Sequence, residues 1–98
     1  MRNVYVSDTV RRKILELRTY LVIELKLSEK ASYKRIERMK KFILTFGYEA
    51  DYALCRFKKW QLLGYRCAVF EKCWVFAYEV IDGGVIVRDL SHTAMLTE

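Results

Sequence analysis

The sequence predicts an α+β fold in which an N-terminal helical hairpin packs on one face of an antiparallel β-sheet, in the order β-α-α-β-β-β. One observation behind this prediction is a pair of apolar stripes at helical spacing in the first half of the chain. The other is a series of three β-prone stretches, separated by turn residues, in the last third. With 98 residues the chain is expected to form one domain, residues 1–98, large enough to bury a core.

The first half of the chain predicts one short strand and two helices. The strand is residues 3–7, and the SDT that starts at Ser7 offers three candidate N-caps for the first helix. Apolar residues spaced three and four apart give each helix a stripe; they are Val10, Ile14, Leu17, Leu21 and Leu25, then Ile36, Met39, Ile43 and Phe46. Ser28 is the expected N-cap of the second helix, and Gly47 is expected to end it in the left-handed conformation. A link of about two residues predicts an antiparallel helical hairpin.

The last third predicts a three-stranded meander of residues 65–70, 73–81 and 85–91. Its middle strand is apolar at nearly every position, as expected of a central strand covered on both faces. The preceding residues 48–63 show no clean period and are interpreted as a connection with one short helical or strand-like turn. The first strand is expected at an edge of the sheet, and the sequence leaves open which edge.

Two registers are compatible with the last turn. A Gly83-Gly84 loop places Glu79 across from Arg88, whereas an Asp82-Gly83 loop places Glu79 across from Ile86. We favour the first register because it opposes two unlike charges.

Composition limits the partners and the compartment. The 18 Lys and Arg exceed the 12 Asp and Glu, which gives a net charge of +6 and favours a nucleic acid, an anionic membrane surface or an acidic protein as partner. Charge alone does not choose among these three.

Cys55, Cys67 and Cys73 do not form a zinc-binding pattern with the single histidine, and they are expected as small core residues in a reducing compartment. Without an N-terminal apolar signal or a membrane-spanning stretch, the chain is expected to be cytoplasmic, with no membrane partner, cofactor or metal.

Four sequence features carry a resemblance to a known family. They are VYVSDTVRRKILELRTYL near the start, FG at 46–47, GYR at 64–66 and FAYEVIDGGVIVRDLSH at 76–92. Together with the order of elements, they resemble the RelE/ParE superfamily, the bacterial toxins of type II toxin–antitoxin modules of the plasmid-stabilisation kind. The resemblance implies a growth inhibitor whose concave sheet face meets its target. It also implies neutralisation by a cognate acidic antitoxin, which wraps the toxin with a helix and an added strand.

The chain departs from the family members that cleave messenger RNA on the ribosome. It has Val75 where those members tend to carry an arginine, three residues before the tyrosine that matches Tyr78. Past His92 it offers only TAMLTE, without Arg, Lys or Tyr. The resemblance therefore favours a ParE-like toxin, directed at DNA gyrase or reduced to binding its antitoxin. The alternatives are a RelE-type mRNA endoribonuclease and a non-toxic basic domain that binds nucleic acid or protein.

For the endoribonuclease alternative the candidate catalytic residues are Arg66, Arg88 and His92, because cleavage by a 2′-hydroxyl needs a base, an acid and cations. However, we favour pairing of Arg88 with Glu79 over ligand binding, and a structural, backbone-bonded His92 over a catalytic one. Tyr78 is expected in the core with its hydroxyl bonded at the rim. The candidate contacts to nucleic acid or another target are Arg56, Lys58, Lys59, Arg66 and Lys72.

The stretch RFKKW at 56–60 alternates cations with aromatic residues. That pattern suits a nucleic-acid surface, on which exposed aromatic rings stack with bases. It suits equally an amphipathic connection that lies over the sheet. The sequence leaves both interpretations open.

Overall fold

A four-stranded sheet with two long helices on one side forms the molecule in this computed structural model, which describes residues 1–48 and 50–96. The elements are β1 (Asn3–Val6), α1 (Asp8–Ile23), α2 (Glu29–Leu44), α3 (Lys58–Gln61), β2 (Arg66–Phe70), β3 (Trp74–Ile81) and β4 (Gly84–His92). The predicted α+β class and helical hairpin are confirmed. Within the described ranges, no helix combines the length and apolar character needed to cross a membrane.

The strand order is β1-β4-β3-β2, so the predicted meander of β2, β3 and β4 is confirmed and β1 takes the edge beside β4. β1 runs parallel to β4, and the prediction of a purely antiparallel sheet is therefore wrong. The helical hairpin and the meander separate these two strands in sequence, and such a long connection allows parallel pairing. A Cβ at Gly84 would lie 2.4 Å from the carbonyl oxygen of Asn3, so this parallel pair requires a glycine.

The last turn uses Asp82 and Gly83, because Ile81 pairs with Gly84 and Gly83 has a φ of 77°. The favoured Gly83-Gly84 register is wrong. Glu79 lies opposite Ile86, yet the predicted ion pair forms. The pairing between β3 and β4 shifts by one residue next to Tyr78, and Arg88 donates from Nη2 to Glu79 Oε1 at 2.9 Å.

Both long helices begin at the predicted serines. Ser7 and Ser28 each accept a hydrogen bond from the backbone N–H three residues later. The apolar stripes are buried as predicted except for Leu25, which follows the end of α1 and is half exposed. The link between the helices spans residues 24–28 and is longer than the predicted two residues.

The end of α2 differs from the prediction. Gly47 is not left-handed; it closes a 3₁₀ turn, Thr45–Gly47, that follows α2. Its carbonyl accepts from the Arg2 N–H, and a Cβ there would lie 3.1 Å from the Arg2 carbonyl oxygen. Close approach of the N-terminal strand, not turn geometry, therefore explains this glycine.

The sheet has two covered faces, as predicted for its central strand. On the helix face, α1 and α2 bury a large apolar cluster that includes Phe76 and Tyr78 of β3. On the second face, the cover segment, residues 53–65, buries a small cluster comprising Cys55, Trp60, Val75 and Ala77.

Cys55 and Cys67 form a disulfide, with their Cα atoms 4.9 Å apart, and Cys73 is free and exposed. The prediction of three reduced core cysteines is therefore wrong. Cys67 lies on β2 and Cys55 on the cover segment, so the bond joins the cover segment to the sheet. Only the folding of residues 53–65 back over the second face brings the two cysteines together.

Candidate functional site

One candidate site is a groove of about 500 Å³ between α1 and α2, here called the hairpin groove. Its apolar lining combines buried side chains such as Ile14, Ile36 and Ile43 with Leu15, Tyr33 and Leu44, each more than half exposed. Arg11, Arg18, Glu37 and Lys40 also line it. A mostly apolar groove with charged groups at its margin is a typical binding site for an amphipathic helix.

The helical period explains how these side chains meet. On α1, Arg11, Leu15 and Arg18 are spaced four and three apart and therefore lie along one stripe beside the buried face. On α2, Tyr33 and Lys40 lie two turns apart on the facing stripe. The sequence identified the buried stripes but not the flanking ones, since those become a groove only where the two helices meet.

The positive charge of the chain is concentrated on the helical hairpin. Residues 8–44 contain eleven Lys and Arg against five Asp and Glu, a net charge of +6, and the rest of the chain contains seven of each. At the groove itself Lys40 lies 3.5 Å from Glu37. Arg11 and Arg18 have no acidic partner within the described residues. The groove therefore favours an acidic ligand.

The three candidate catalytic residues do not converge on one site. Arg66 pairs with Tyr78 on β3, whereas His92 pairs with Trp74, four residues away along the same strand, or roughly 13 Å. Arg88 lies beside the bulge and is held by Glu79. Since acid–base catalysis needs its groups within hydrogen-bonding reach of one substrate, this arrangement does not supply the predicted catalytic set.

Each of these residues already has a structural contact. Arg66 donates from Nη1 to the Tyr52 carbonyl at 2.7 Å. His92 accepts at Nδ1 from the Ala94 N–H at 3.1 Å, as expected of a backbone-bonded histidine, and its ring meets Trp74 edge to face. Each contact therefore gives its side chain a structural role in place.

Four of the five target-contact candidates are exposed, and they lie in two places on the chain. Arg56, Lys58 and Lys59 lie on the cover segment, and Lys72 lies in the turn between β2 and β3. Trp60 is only 2% exposed, and Lys59 Nζ lies 4.8 Å from the centre of its ring. RFKKW is therefore an amphipathic connection whose tryptophan is not available to stack with bases.

Sequence reasoning missed a polar network at the rim of the helix face. The buried Tyr78 hydroxyl donates to Asp51 Oδ1 at 3.1 Å and accepts from the Tyr52 N–H at 2.9 Å, as its predicted rim bond requires. Arg2 forms an ion pair with the same carboxylate. Hydrogen bonding from Arg2 holds the pKa of Asp51 below its usual value, and burial raises the pKa of Tyr78. Asp51 lies in the segment without a period, where no pattern identified it.

A second missed network joins the two faces at Asp89. Its carboxylate accepts from Lys13 Nζ at 2.5 Å, from Trp60 Nε1 at 3.3 Å and from the Leu90 N–H at 2.8 Å. Burial raises the pKa of Asp89, but these hydrogen bonds outweigh burial and hold the pKa below its usual value. Lys13 belongs to α1 and Trp60 to the cover segment, so one side chain connects both coverings of the sheet.

Across residues 1–48 and 50–96 there is no group of three or more His, Cys, Asp or Glu that could hold a metal ion.

In comparisons with known proteins, no family model, curated protein or solved structure matches this chain. The resemblance to RelE/ParE toxins therefore stays a prediction.

Proposed function

We propose that this chain is a toxin of a type II toxin–antitoxin module whose hairpin groove binds an acidic amphipathic helix of its antitoxin. The observation that carries the proposal is the hairpin groove itself, with its apolar lining and with Arg11 and Arg18, which no acidic side chain among the described residues pairs with. The fold class is compatible with the RelE/ParE resemblance. The absence of a converged catalytic set favours a toxin that acts by binding over one that cleaves RNA.

Exposed apolar side chains explain the affinity that such a helix would have. Leu15 is 65% exposed, and Tyr33 and Leu44 are each 58% exposed. Covering them removes apolar area from water, at roughly 25 cal/mol per Å². A helix with apolar residues three and four apart presents a stripe of matching width.

The charge of the hairpin explains the preference for an acidic partner. Acidic residues beside the apolar stripe of the partner would reach Arg11 and Arg18 at the margin of the groove. Such pairs accelerate association and reject basic or neutral helices. An acidic segment that is disordered alone can fold on binding, as expected of an antitoxin.

Co-expression with the neighbouring reading frame tests the proposal, if that frame encodes a short acidic protein. Leu15→Asp places a like charge against an acidic helix inside the groove, and we expect at least a tenfold loss of affinity in titration calorimetry. Arg18→Glu should reduce the association rate and its dependence on salt. Both side chains are exposed, so circular dichroism should show an unchanged fold.

Lys58→Glu is the matched control, because it makes the same change in charge outside the helical hairpin. We expect it to leave binding within twofold. Equal effects of Arg18→Glu and Lys58→Glu would show that net charge, not the groove, attracts the partner. Unchanged binding by Leu15→Asp would refute the groove as the site.

Induction in bacteria tests toxicity separately. Filamentous cells with an SOS response would indicate DNA gyrase, and rapid loss of translation with cut messages would indicate the ribosome-dependent endoribonuclease. Normal growth would contradict both kinds of toxin. Since His92 stands apart from Arg66, we expect His92→Ala to leave toxicity unchanged; relief of toxicity would restore a catalytic role for His92.

A further inference from the structure

The cover segment has little regular structure of its own. It contains α3, which is four residues long, and one isolated β-bridge between Leu54 and Arg66. The Cys67 N–H of β2 donates to the Ala53 carbonyl at 3.2 Å and ties the segment to the sheet. Within the segment, the Cys55 N–H donates to the Tyr65 carbonyl at 2.9 Å. Trp60 adds the side-chain bond to Asp89.

Besides the peptide bond from Tyr65 to Arg66, the disulfide is the one covalent tie between this segment and the sheet among the described residues. Cys55 is 1% exposed, whereas Cys67 on the edge strand β2 is partly exposed. Of the two bonded cysteines, Cys67 is therefore the one on the side from which a thiol reductant in solution would approach the bond. The cluster that the bond supports is small, and its buried members are Cys55, Trp60, Val75 and Ala77.

We infer that the Cys55–Cys67 disulfide is a redox modification site for dithiol reductants, and that its reduction releases the cover segment from the second face while the helix face stays folded.

The chemistry is thiol–disulfide exchange. A thiolate of the reductant attacks Sγ of Cys67, the disulfide breaks, and Cys55 leaves as a thiolate that takes up a proton. The second thiolate of the reductant then attacks the mixed disulfide. This step forms a disulfide within the reductant and frees Cys67 as a thiol, so two electrons pass from the reductant to the protein.

Release follows from chain entropy. Cys55 and Cys67 are 12 residues apart in the chain, and their disulfide closes this stretch into a loop. The closed loop limits the conformational entropy that the cover segment gains when it leaves the sheet. Removing such a cross-link should raise the population of the open segment roughly a hundredfold, by the loop-closure relation. The stability of the helix face does not depend on the disulfide in this way, because neither Cys55 nor Cys67 belongs to its apolar cluster.

Opening would expose a strip of the sheet that is otherwise covered. Val75 and Ala77 of β3 are at most 1% exposed, and they lie beneath the cover segment. Trp60 would leave this cluster at the same time and lose its bond to Asp89. The redox state of one bond would thus decide whether the second face is available to a partner.

Limited digestion with trypsin tests the inference in the wild-type protein. Trypsin can cut after Arg56, Lys58 and Lys59, all within the cover segment. We expect dithiothreitol to speed these cuts roughly a hundredfold, following the loop-closure estimate. Cuts after Lys34 and Arg35 on α2 should keep their rate, as mass spectrometry of the fragments can show.

Two variants serve as controls. Cys55→Ser combined with Cys67→Ser should be cut rapidly without reductant and should not respond to it. Cys73→Ser, which removes the free thiol, should respond like the wild type. Three outcomes would each overturn the inference: equal rates with and without reductant, acceleration in α2 as large as in the cover segment, or loss of the response in Cys73→Ser.

Discussion

On the helix face α1 and α2 enclose fifteen buried side chains against the sheet, whereas on the second face the cover segment encloses four, counted over the described residues. The first covering consists of two capped helices of sixteen residues each. The second consists of a mostly irregular segment joined to β2 by a disulfide. A small apolar cluster buries too little area to offset the entropy of ordering such a segment, so a cross-link supplies the difference.

The difference also separates two kinds of surface. The helical hairpin packs on the large apolar cluster and carries the hairpin groove. It is therefore suited to bind a partner without changing shape. The second face depends on one bond and on Asp89, which makes it suited to change. This contrast between the two coverings predicts how strongly three changes should affect stability.

Phe76→Ala should have the largest effect on stability. Phe76 is fully buried on the helix face, with the rings of Phe42 and Phe46 centred 5.9 and 6.3 Å away. The cavity should lower the free energy of unfolding by about 3–5 kcal/mol, measured by urea denaturation. Val69→Ala, at an exposed strand position, should change it by less than about 0.5 kcal/mol. A loss below about 1 kcal/mol for Phe76→Ala would contradict the helix face as the main core.

Asp89→Ala should have an intermediate effect, because it removes the acceptor shared by Lys13 and Trp60. The free energy of unfolding should fall by about 1–3 kcal/mol, the usual cost of leaving partly buried donors unpaired. Hydrogen exchange should also rise in the cover segment, since Trp60 loses its partner. The control is Arg12→Ala, which breaks an exposed pair with Glu16 and should cost about 0–1 kcal/mol. Equal costs for the two variants would show that Asp89 does not connect the two coverings.

Acid should destabilise the protein by protonating the carboxylates of Asp51 and Asp89. The pKa values of Asp51 and Asp89 are depressed in the folded state. Their contribution to stability is therefore complete above the unfolded pKa of about 3.9 and is lost as the pH falls through the lower folded values. Urea midpoints measured from pH 5 downward should fall in this window, and Asp51→Asn should flatten part of the fall. A midpoint that does not change below pH 4 would contradict the assigned shifts.

Much of the fold followed from local patterns. Serine caps and apolar spacing identified α1 and α2, and β-branched residues with a glycine turn identified β3 and β4. The predicted register of the last turn was wrong because Gly84 is not a turn residue; it allows the close approach of Asn3. Local turn chemistry favoured two loops, and only the packing of β1 distinguishes between them.

The candidate site was harder to predict from the sequence than the fold was. The arginines of the hairpin groove were visible only as part of a net charge, since their position depends on how α1 meets α2. Arg66 and His92 belong to one meander but pair with residues of β3 that are four positions apart. Their distance follows from strand register, which the sequence did not specify.

By itself the sequence determined the identity and order of the elements and which face of each helix is buried, because hydrogen bonding and apolar spacing act over a few residues. It also determined the net charge of +6, which favours an acidic partner. Only the tertiary structure decided the parallel pairing of β1, the hairpin groove, the contacts of Asp51 and Asp89, and the Cys55–Cys67 bond. Each of these joins residues that are distant in the chain, and such contacts depend on the packing of whole elements, which no local pattern records.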